Sequence, residues 1–517
     1  MIIYKIIEYF KNNIRTKPIF IFFLGCMSGL AFSSNSIFIC VPLMFVALSS
    51  LFSFLYNIKT KNFINVFLIG SLFSFGQLFT GLYWISNAFD FIFTNGTYIG
   101  LIAIMFLALA LSIFYGFSCI IIMYVINVWR LNLFGSALIF SVFLSLGEYL
   151  RGNLLGGFPW NIIGYIWTDS IVMMQSVSLI GIYGLGLFTF LASTSIILVF
   201  YRIKYGLYAL LPTLFLFIYG EIRLNLNIDE TDKFIQIRVV QPAINQNEKW
   251  DEKLKSKHIE KLISLSLIDN DKFKPKLILW PESSLPYASS KLEKNIEIFS
   301  WLSEEQVLIA GITRTKYKNN LLSKIYNSAV ISDKLFNYNY YDKVKLVPFG
   351  EYNPFRKFFN SKKLTKGTLD FSSGENTNIY KLINTNLDLG ILICYEIIFS
   401  SKVINGNRPD FLVNLTNDAW YGDTYGPLQH LAAARARAIE EGMPVLRSAN
   451  TGISAVINQY GQYLKRLELG EEGVIDINMP LNKKKTIFSI FGNSIYLITL
   501  IFMLMLARFP FISKTSK

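Results

Sequence analysis

Charge is scarce in this chain. Lys, Arg, Asp and Glu make up 16% of its 517 residues, against roughly a quarter in ordinary soluble domains. With a mean hydropathy of +0.40, that shortage excludes a wholly soluble globular protein and a disordered chain. Cysteine is scarce as well. Four residues in a chain of this length exclude a disulfide scaffold. There are only two histidines, His258 and His430, so a metal site of His and Cys is poorly supplied. Basic residues outnumber acidic ones, 49 to 35, for a net charge of +14. No compact basic motif accompanies the excess, and Lys, Asn, Ile and Phe are all abundant. Compositional bias therefore accounts for it better than a nucleic-acid partner does. Apolar residues are what the chain has in plenty: 52% are hydrophobic, and 45 are Phe.

The shortage of charge is concentrated in residues 1–220. Ten basic residues (Lys5, Lys11, Arg15, Lys17, Lys59, Lys61, Arg130, Arg151, Arg202, Lys204) and four acidic ones (Glu8, Asp90, Glu148, Asp169) lie there. An apolar run of about 20 residues spans a bilayer as a helix. Such runs fall near 17–35, 37–56, 64–86, 98–126, 133–150, 171–200 and 205–222, with a last one near 486–508. The pattern predicts about eight transmembrane helices, seven before a soluble region and one after it. The first run is followed at once by others and by no small-x-small site, so it reads as a span and not as a cleaved signal peptide. Short cytoplasmic loops gather Lys and Arg. Basic residues stand at the N-terminus, at Lys59 and Lys61, at Arg130, at Arg202 and Lys204, and at Arg508, Lys514 and Lys517. The loop at 87–97 has none, and that at 151–170 has Arg151 only. Both termini are thus expected in the cytoplasm, and the soluble region on the outer face. At the end of the fifth run, GEYLRGNLLGGFPW carries Glu148 and Arg151. An ionisable pair near membrane depth is a functional candidate, and an i,i+3 pair also serves to anchor a helix end.

The soluble region alternates apolar runs with polar helical stretches. The runs are 234–241, 276–282, 307–313, 328–332, 389–396, 410–418 and 452–459; the helical stretches are 251–268, 291–303 and 427–442. Continuous apolar strands are buried on both faces, which predicts a layered α/β sheet domain. Cys394 is the one cysteine in this region and follows the buried run Leu-Gly-Ile-Leu-Ile. An unpaired thiol at a strand's C-terminal end is either a nucleophile or a buried structural residue. Its base is not obviously histidine. His258 sits in the Lys-rich KLKSKHIEK and is expected to face solvent, while His430 follows an Asp/Gly-rich loop and stays open. Glu282 ends the run Leu-Ile-Leu-Trp-Pro-Glu, where a carboxylate behind Trp280 and Pro281 suits a proton shuttle. Lys343, in YYDKVKLVPFGEYNP, offers an ammonium that would depress a neighbouring thiol pKa and hold an oxyanion.

These motifs, WPES, DKxxLVPFGE, ICYE and NLTNDAWYG in that order, resemble the carbon–nitrogen hydrolase (nitrilase) superfamily, whose triad is Glu-Lys-Cys. Membrane spans on both sides of such a domain resemble the apolipoprotein N-acyltransferase family of bacterial envelopes. GEYLRGNLLGGFPW and the segment RSANTGISA at 447–455 are also similar to it. The resemblance implies a membrane helical bundle joined to an α-β-β-α sandwich. The implied division is a bundle at 1–227, a catalytic domain at 228–480 and a last helix with a cytoplasmic tail at 481–517. It implies that Glu282, Lys343 and Cys394 are the triad, and that Glu351, Tyr395 and Glu396 support it. Trp250, Asn327 and Trp420 match substrate-pocket positions. Lys345 departs from the family, which commonly has His there, so its role stays open.

The implied reaction is acyl transfer through a Cys394 thioester. The donor is a membrane glycerophospholipid, with phosphatidylethanolamine expected. The acceptor is the N-terminal amine of a diacylglyceryl-cysteine on an apolipoprotein. No metal or organic cofactor is implied, and no nucleic acid. The location implied is the inner membrane, with the catalytic domain periplasmic. PFRKFFNSKKLTKGTLDF at 354–371 reads equally as an interfacial arm on anionic lipid or as a solvated loop. Two rival classes remain: a membrane-tethered amidase with water as acceptor, and a transporter or receptor with an outer sensor domain. Few charges within the spans and no evident internal repeat weigh against the transporter.

Overall fold

The computed structural model describes residues 17–33, 36–58, 62–226, 233–292, 296–354, 369–375, 377–383 and 385–509. Lys5, Lys11, Arg15, Lys59, Lys61, Lys514, Lys517 and most of the 354–371 segment lie outside the described residues. The chain divides into two compact units. One takes in the chain up to Trp84, then Tyr98–Asn227, and Thr486 onward; the other takes in Ile85–Thr97 and Ile228–Lys485.

In the first unit α1 is Lys17–Leu30, α2 Ile37–Asn57, α3 Phe63–Gly81, α4 Gly96–Trp129, α5 Leu133–Asn153, α6 Val177–Tyr201 and α7 Ile203–Leu226. Among the described residues, the six helices α2 to α7 are long and apolar enough to cross a membrane. The expected first span appears as 14 described residues, about 21 Å of helix against a hydrocarbon core of roughly 30 Å. The expected last span is broken at Gly492, at φ 55°, into a short turn Ile487–Phe491 and Ser494–Ala507. The expected sixth span is likewise interrupted. A single turn, Ile171–Met174, precedes α6, and Gly181 within α6 sits at φ 67°. That backbone suits glycine, and a Cβ there would lie 2.3 Å from the Phe488 ring.

Glu148 and Arg151 are both buried in α5. Arg151 donates to the carbonyls of Phe158 (2.9 Å) and Trp160 (2.7 Å). Glu148 accepts from the Ile163 N–H (3.1 Å) and the Tyr115 hydroxyl (3.2 Å). The pair closes the returning loop after α5 by satisfying its backbone, so its contacts are those of an anchor.

The second unit holds two six-stranded sheets. The first runs β12-β1-β2-β3-β4-β5, made of Gly473–Pro480, Phe234–Gln241, Leu277–Leu279, Val307–Lys318, Leu321–Ser332 and Tyr338–Asp342. The second runs β11-β10-β9-β8-β7-β6, made of Tyr463–Leu467, Ser454–Ile457, Val445–Ala449, Phe411–Thr416, Asp388–Ile393 and Ile379–Lys381. β1, β2 and β3 are parallel, as are β7, β8 and β9. Period-2 alternation explains the layering. Ile235, Ile237 and Val239 of β1 join Ile391, Ile393, Val413 and Leu415 in one core between the sheets. Val240 turns the other way, with Ile278 and Leu308, onto Leu262 and Leu265 of α8 (Lys255–Leu267). Helix α9, Tyr425–Glu441, covers the second sheet. Helix, sheet, sheet and helix follow in that order, as the resemblance implied.

Differences from the sequence reading are local. The run 276–282 keeps only three strand residues, because Pro281 has no N–H to give a ladder. Among the described residues, the helix expected at 291–303 appears as the short turns Ser289–Leu292 and Ile296–Phe299. Strands β5, β6, β9, β11 and β12 lay outside the apolar runs. β11 is largely solvent-facing. His258, expected in solvent, is 7% exposed on the inner side of α8.

Candidate active site

The C-terminal ends of β2 and β7 supply a carboxylate and a thiol. After β2 the chain turns through Trp280 and Pro281 to Glu282, and Ser283 takes φ 50°. This turn lies flat against β3 at Gly311, where a Cβ would come within 2.2 Å of the Ser283 nitrogen and 2.6 Å of the Glu282 Cα. Any other residue at 311 would push the carboxylate away. After β7, Cys394 itself stands at φ 49°, where a β-carbon is unfavourable. A short 3-10 turn, Cys394–Ile398, follows.

A lysine and three polar side chains bind this centre together. Lys343 Nζ lies 3.0 and 2.9 Å from the two oxygens of Glu351 and 3.8 Å from Glu282 Oε1. Asn327 Nδ2 donates to Glu282 Oε1 (2.7 Å) and to Glu351 Oε1 (2.8 Å). Two carboxylate acceptors fix the amide's orientation. Glu351 also accepts from the Val347 N–H at 2.8 Å. Glu396 ties the nucleophile turn to the lysine segment. Its oxygens accept from the N–H groups of Ile393, Val344 and Lys345 and from the Tyr341 hydroxyl, at 2.8 to 3.0 Å. All of these side chains are buried.

Burial sets the electrostatics. Burial, and then the Glu282 charge, push the Cys394 thiol up to about 12; Lys343 pulls it down, in the expected direction, but is outweighed. At rest it is a thiol, not a thiolate. Burial works against the Lys343 charge, but Glu351 and Glu282 outweigh it and raise its pKa above the usual lysine range. The centre therefore offers a protonated thiol, an adjacent carboxylate and a permanently cationic donor. That set can carry out acyl transfer through a covalent intermediate.

The remaining sequence-based positions are placed differently. Tyr395 is buried edge-on to Phe399, with ring centroids 5.1 Å apart. Trp420 meets Phe91 edge-on at 5.5 Å. Phe91 belongs to the Ile85–Thr97 segment, where Asn87 also donates to the Tyr421 carbonyl at 3.0 Å. Trp250 is 39% exposed, and the neighbouring Lys249 is the residue that reaches the centre. Lys249 donates to the Glu282 carbonyl at 2.9 Å, and burial lowers its pKa to about 8. Sequence reasoning passed it over because it looked like one more surface lysine. Lys345 contributes its backbone N–H to Glu396, and its ammonium lies 5.8 Å from the Phe399 ring centroid.

His430, left open from sequence, lies behind Cys394. Its ring nitrogens are 2.8 Å from Asp418 Oδ1 and 3.1 Å from the Cys394 carbonyl. Cys394, Asp418 and His430 lie close enough together to suggest a metal site. The Arg447 guanidinium occupies that place. It donates to Asp418 Oδ2 at 2.5 Å and lies 3.2 Å from His430 Nδ1. Arg447 and His430 hold the Asp418 carboxyl down to about 2 against burial, which would raise it. Donors already committed to a buried cation are a poor set for a second one.

Comparison with known proteins accounts for both units. Residues 236–486 match the family described as carbon-nitrogen hydrolase, and residues 24–195 match the apolipoprotein N-acyltransferase N-terminal domain. The apolipoprotein N-acyltransferase of Rickettsia typhi is 34% identical over 508 residues, covering 95% of this chain and 98% of the relative. That of Rhodopseudomonas palustris is 35% identical over 468 residues, covering 85% of each. A carbon-nitrogen hydrolase domain in one unit, apolar helices in the other and full-length relatives of this kind have one common reading: the chain belongs to the apolipoprotein N-acyltransferase family.

Proposed function

We propose that this protein transfers an acyl chain from a membrane glycerophospholipid to the N-terminal amine of a diacylglyceryl-cysteine on an apolipoprotein. The observation that carries the reading is the buried cluster of Glu282, Lys343 and Cys394, which follow the ends of β2, β5 and β7, in a chain whose full-length relatives bear that name. Cys394 Sγ attacks the ester carbonyl while Glu282 takes the thiol proton. Lys343, with a backbone N–H beside Cys394, holds the tetrahedral oxyanion. The intermediate collapses, the C–O bond breaks, and Glu282 returns the proton to the glycerol oxygen, leaving a lysophospholipid and a Cys394 thioester. The acceptor amine then attacks the thioester and loses a proton to Glu282. An amide forms, the C–S bond breaks, and the proton returns to sulfur. Glu351 pairs with Lys343 at 2.9 Å and Asn327 donates to Glu282 at 2.7 Å, which leaves the Lys343–Glu282 pair at the longer distance of 3.8 Å. Water as the acceptor, the amidase alternative, finds no favour among the full-length relatives.

The donor headgroup in this reading is phosphatidylethanolamine. The Lys/Arg pattern of the short loops supports an inner-membrane protein with cytoplasmic termini and residues 228–480 in the periplasm. Mass spectrometry of a lipoprotein N-terminus tests the reaction. The N-acyl mass should appear with wild type and be lost with Cys394→Ser, because a hydroxyl is far harder to ionise. An unchanged N-terminus with wild type would sink the proposal. For topology, cysteines introduced at 57–63 and 201–206 should resist an impermeant thiol reagent in intact cells, while one near residue 260 should react once the outer membrane is permeabilised. The reverse pattern would overturn the orientation.

A further inference from the structure

The nucleophile's backbone is held from behind by a buried side-chain network that the acyl-transfer steps do not use. Cys394 is not glycine, yet it stands at φ 49°, so something must keep it there. Its carbonyl meets two side-chain donors. His430 Nε2, from α9, lies 3.1 Å away, and Asn414 Nδ2, from β8, lies 3.4 Å away. Both donors are themselves clamped by Arg447 of β9. Its Nη1 donates to Asn414 Oδ1 at 2.5 Å and its Nη2 to Asp418 Oδ2 at 2.5 Å, and Asp418 Oδ1 lies 2.8 Å from His430 Nδ1. Thr416 donates to Asp418 at 3.0 Å and contacts the Cys394 thiol. Asn414, Thr416, His430 and Arg447 are fully buried, and Asp418 is 1% exposed.

Three simpler roles for His430 do not fit. As a general base on the thiol it would need a lone pair directed at Sγ, but Nδ1 points at Asp418 and Arg447 and Nε2 at the carbonyl; burial and then the Arg447 charge lower the ring's pKa, and in the neutral tautomer that turns Nε2–H to the carbonyl, Nδ1 accepts from Arg447 Nη2 at 3.2 Å. As a metal ligand it would share its site with a guanidinium. As bulk stability alone, a buried ion pair is commonly no better than apolar packing. What the arrangement does provide is rigidity at one peptide group.

We propose that His430 is a positioning residue: its Nε2–H holds the Cys394 carbonyl, and with it the left-handed turn that presents the thiol between Glu282 and Lys343, on a platform made by Asp418 and Arg447. In each turnover sulfur passes from thiol through a tetrahedral state to the thioester and back through a second tetrahedral state, and the backbone must stay fixed through all of them. A released carbonyl lets Cys394 relax towards an ordinary φ, which swings Sγ away from the carboxylate.

The inference rests on the acyl-transfer reading, and the test separates the two. Single-turnover thioester formation is measured with full-length protein in detergent, over a range of phospholipid concentration. His430→Leu should lower the maximal acylation rate by about 30- to 100-fold, the scale of an ångström's misplacement. The half-saturating donor concentration should move by less than about twofold. His430→Gln keeps an N–H at similar reach and should recover most of the rate. Should His430→Leu not fold, His430→Gln against His430→Asn decides in its place, since the shorter amide does not reach the carbonyl. Wild-type acylation by His430→Leu, or equal rates for the Gln and Asn variants, would overturn the proposal. Absence of a thioester in the wild type would instead overturn the acyl-transfer reading.

Discussion

Replacing Glu282 by Gln keeps the shape of the side chain and removes the base. The structure sets the scale of the effect. With the Cys394 thiol at about 12, the fraction ionised at pH 7 is roughly one in 10⁵, or about 7 kcal/mol of unfavourable ionisation. Wild type avoids this by moving the proton to Glu282 as sulfur attacks. The variant must instead use the thiolate, which burial keeps rare although loss of the Glu282 charge lets the thiol pKa fall below its wild-type value. Acylation at pH 7 should fall by about two to four orders of magnitude, the usual range for loss of a general base. The pH dependence is the sharper signature. A thiol that titrates near 12 gains roughly tenfold in thiolate per pH unit below that value. The logarithm of the Glu282→Gln acylation rate should therefore rise with a slope near one between pH 7 and 9, while the wild-type rate stays nearly flat. Asn327 would still have an acceptor in the Gln carbonyl, so the geometry at 2.7 Å is retained. The assay is rapid-mix thioester formation on solubilised protein, quenched in acid and read by intact mass. A flat profile in the variant, or a rate within a factor of two of wild type, would refute the assignment of Glu282 as the base.

Lys343→Met should slow acylation by roughly the 10²- to 10³-fold expected of a lost oxyanion donor. Because both residues act on one transition state, the Glu282→Gln, Lys343→Met double variant should be much less than multiplicatively worse; fully multiplicative losses would mean independent action. Gly311→Ala touches no substrate, yet its Cβ would stand 2.2 Å from the Ser283 nitrogen. It should cost about 10²-fold in acylation through the displaced Glu282, and normal acylation would show that the turn tolerates the shift. Asp418 is held down to about 2, below its value in an unfolded chain. Its contribution of about 2 kcal/mol is fully present above pH 4 and is lost as pH falls through 2. Asp418→Asn should therefore lower the thermal midpoint at pH 7 and flatten its fall in acid; identical acid profiles would exclude this role.

Much of this protein was legible in the sequence, for reasons that follow from local chemistry. The scarcity of charge before residue 220 determined that helices of this part lie in lipid, since only long apolar runs cross a bilayer. Apolar runs of strand length determined a sheet buried on both faces, and β1 appears at the residues expected, Phe234–Gln241. The order of WPES, DKxxLVPFGE and ICYE brought out Glu282, Lys343 and Cys394, because each stands where a strand ends and a side chain is free to face a site. Helix ends at Gly181 and Gly492 were not legible, since a break within an apolar run depends on what packs against it. Solvent-facing β11 escaped detection because its outward residues carry no apolar pattern. Lys249 and Trp250 are adjacent in sequence, and only folding decided which of them enters the centre. The same holds for His430, Asp418 and Arg447. They come from three separate elements, and their meaning depends on distances of 2.5 to 3.1 Å that no spacing along a chain encodes. Tertiary structure also decided the balance at Cys394. Lys343 pulls the thiol down, as the sequence suggested, but burial, which is a property of the whole fold, and the Glu282 charge outweigh it and push the thiol up to about 12.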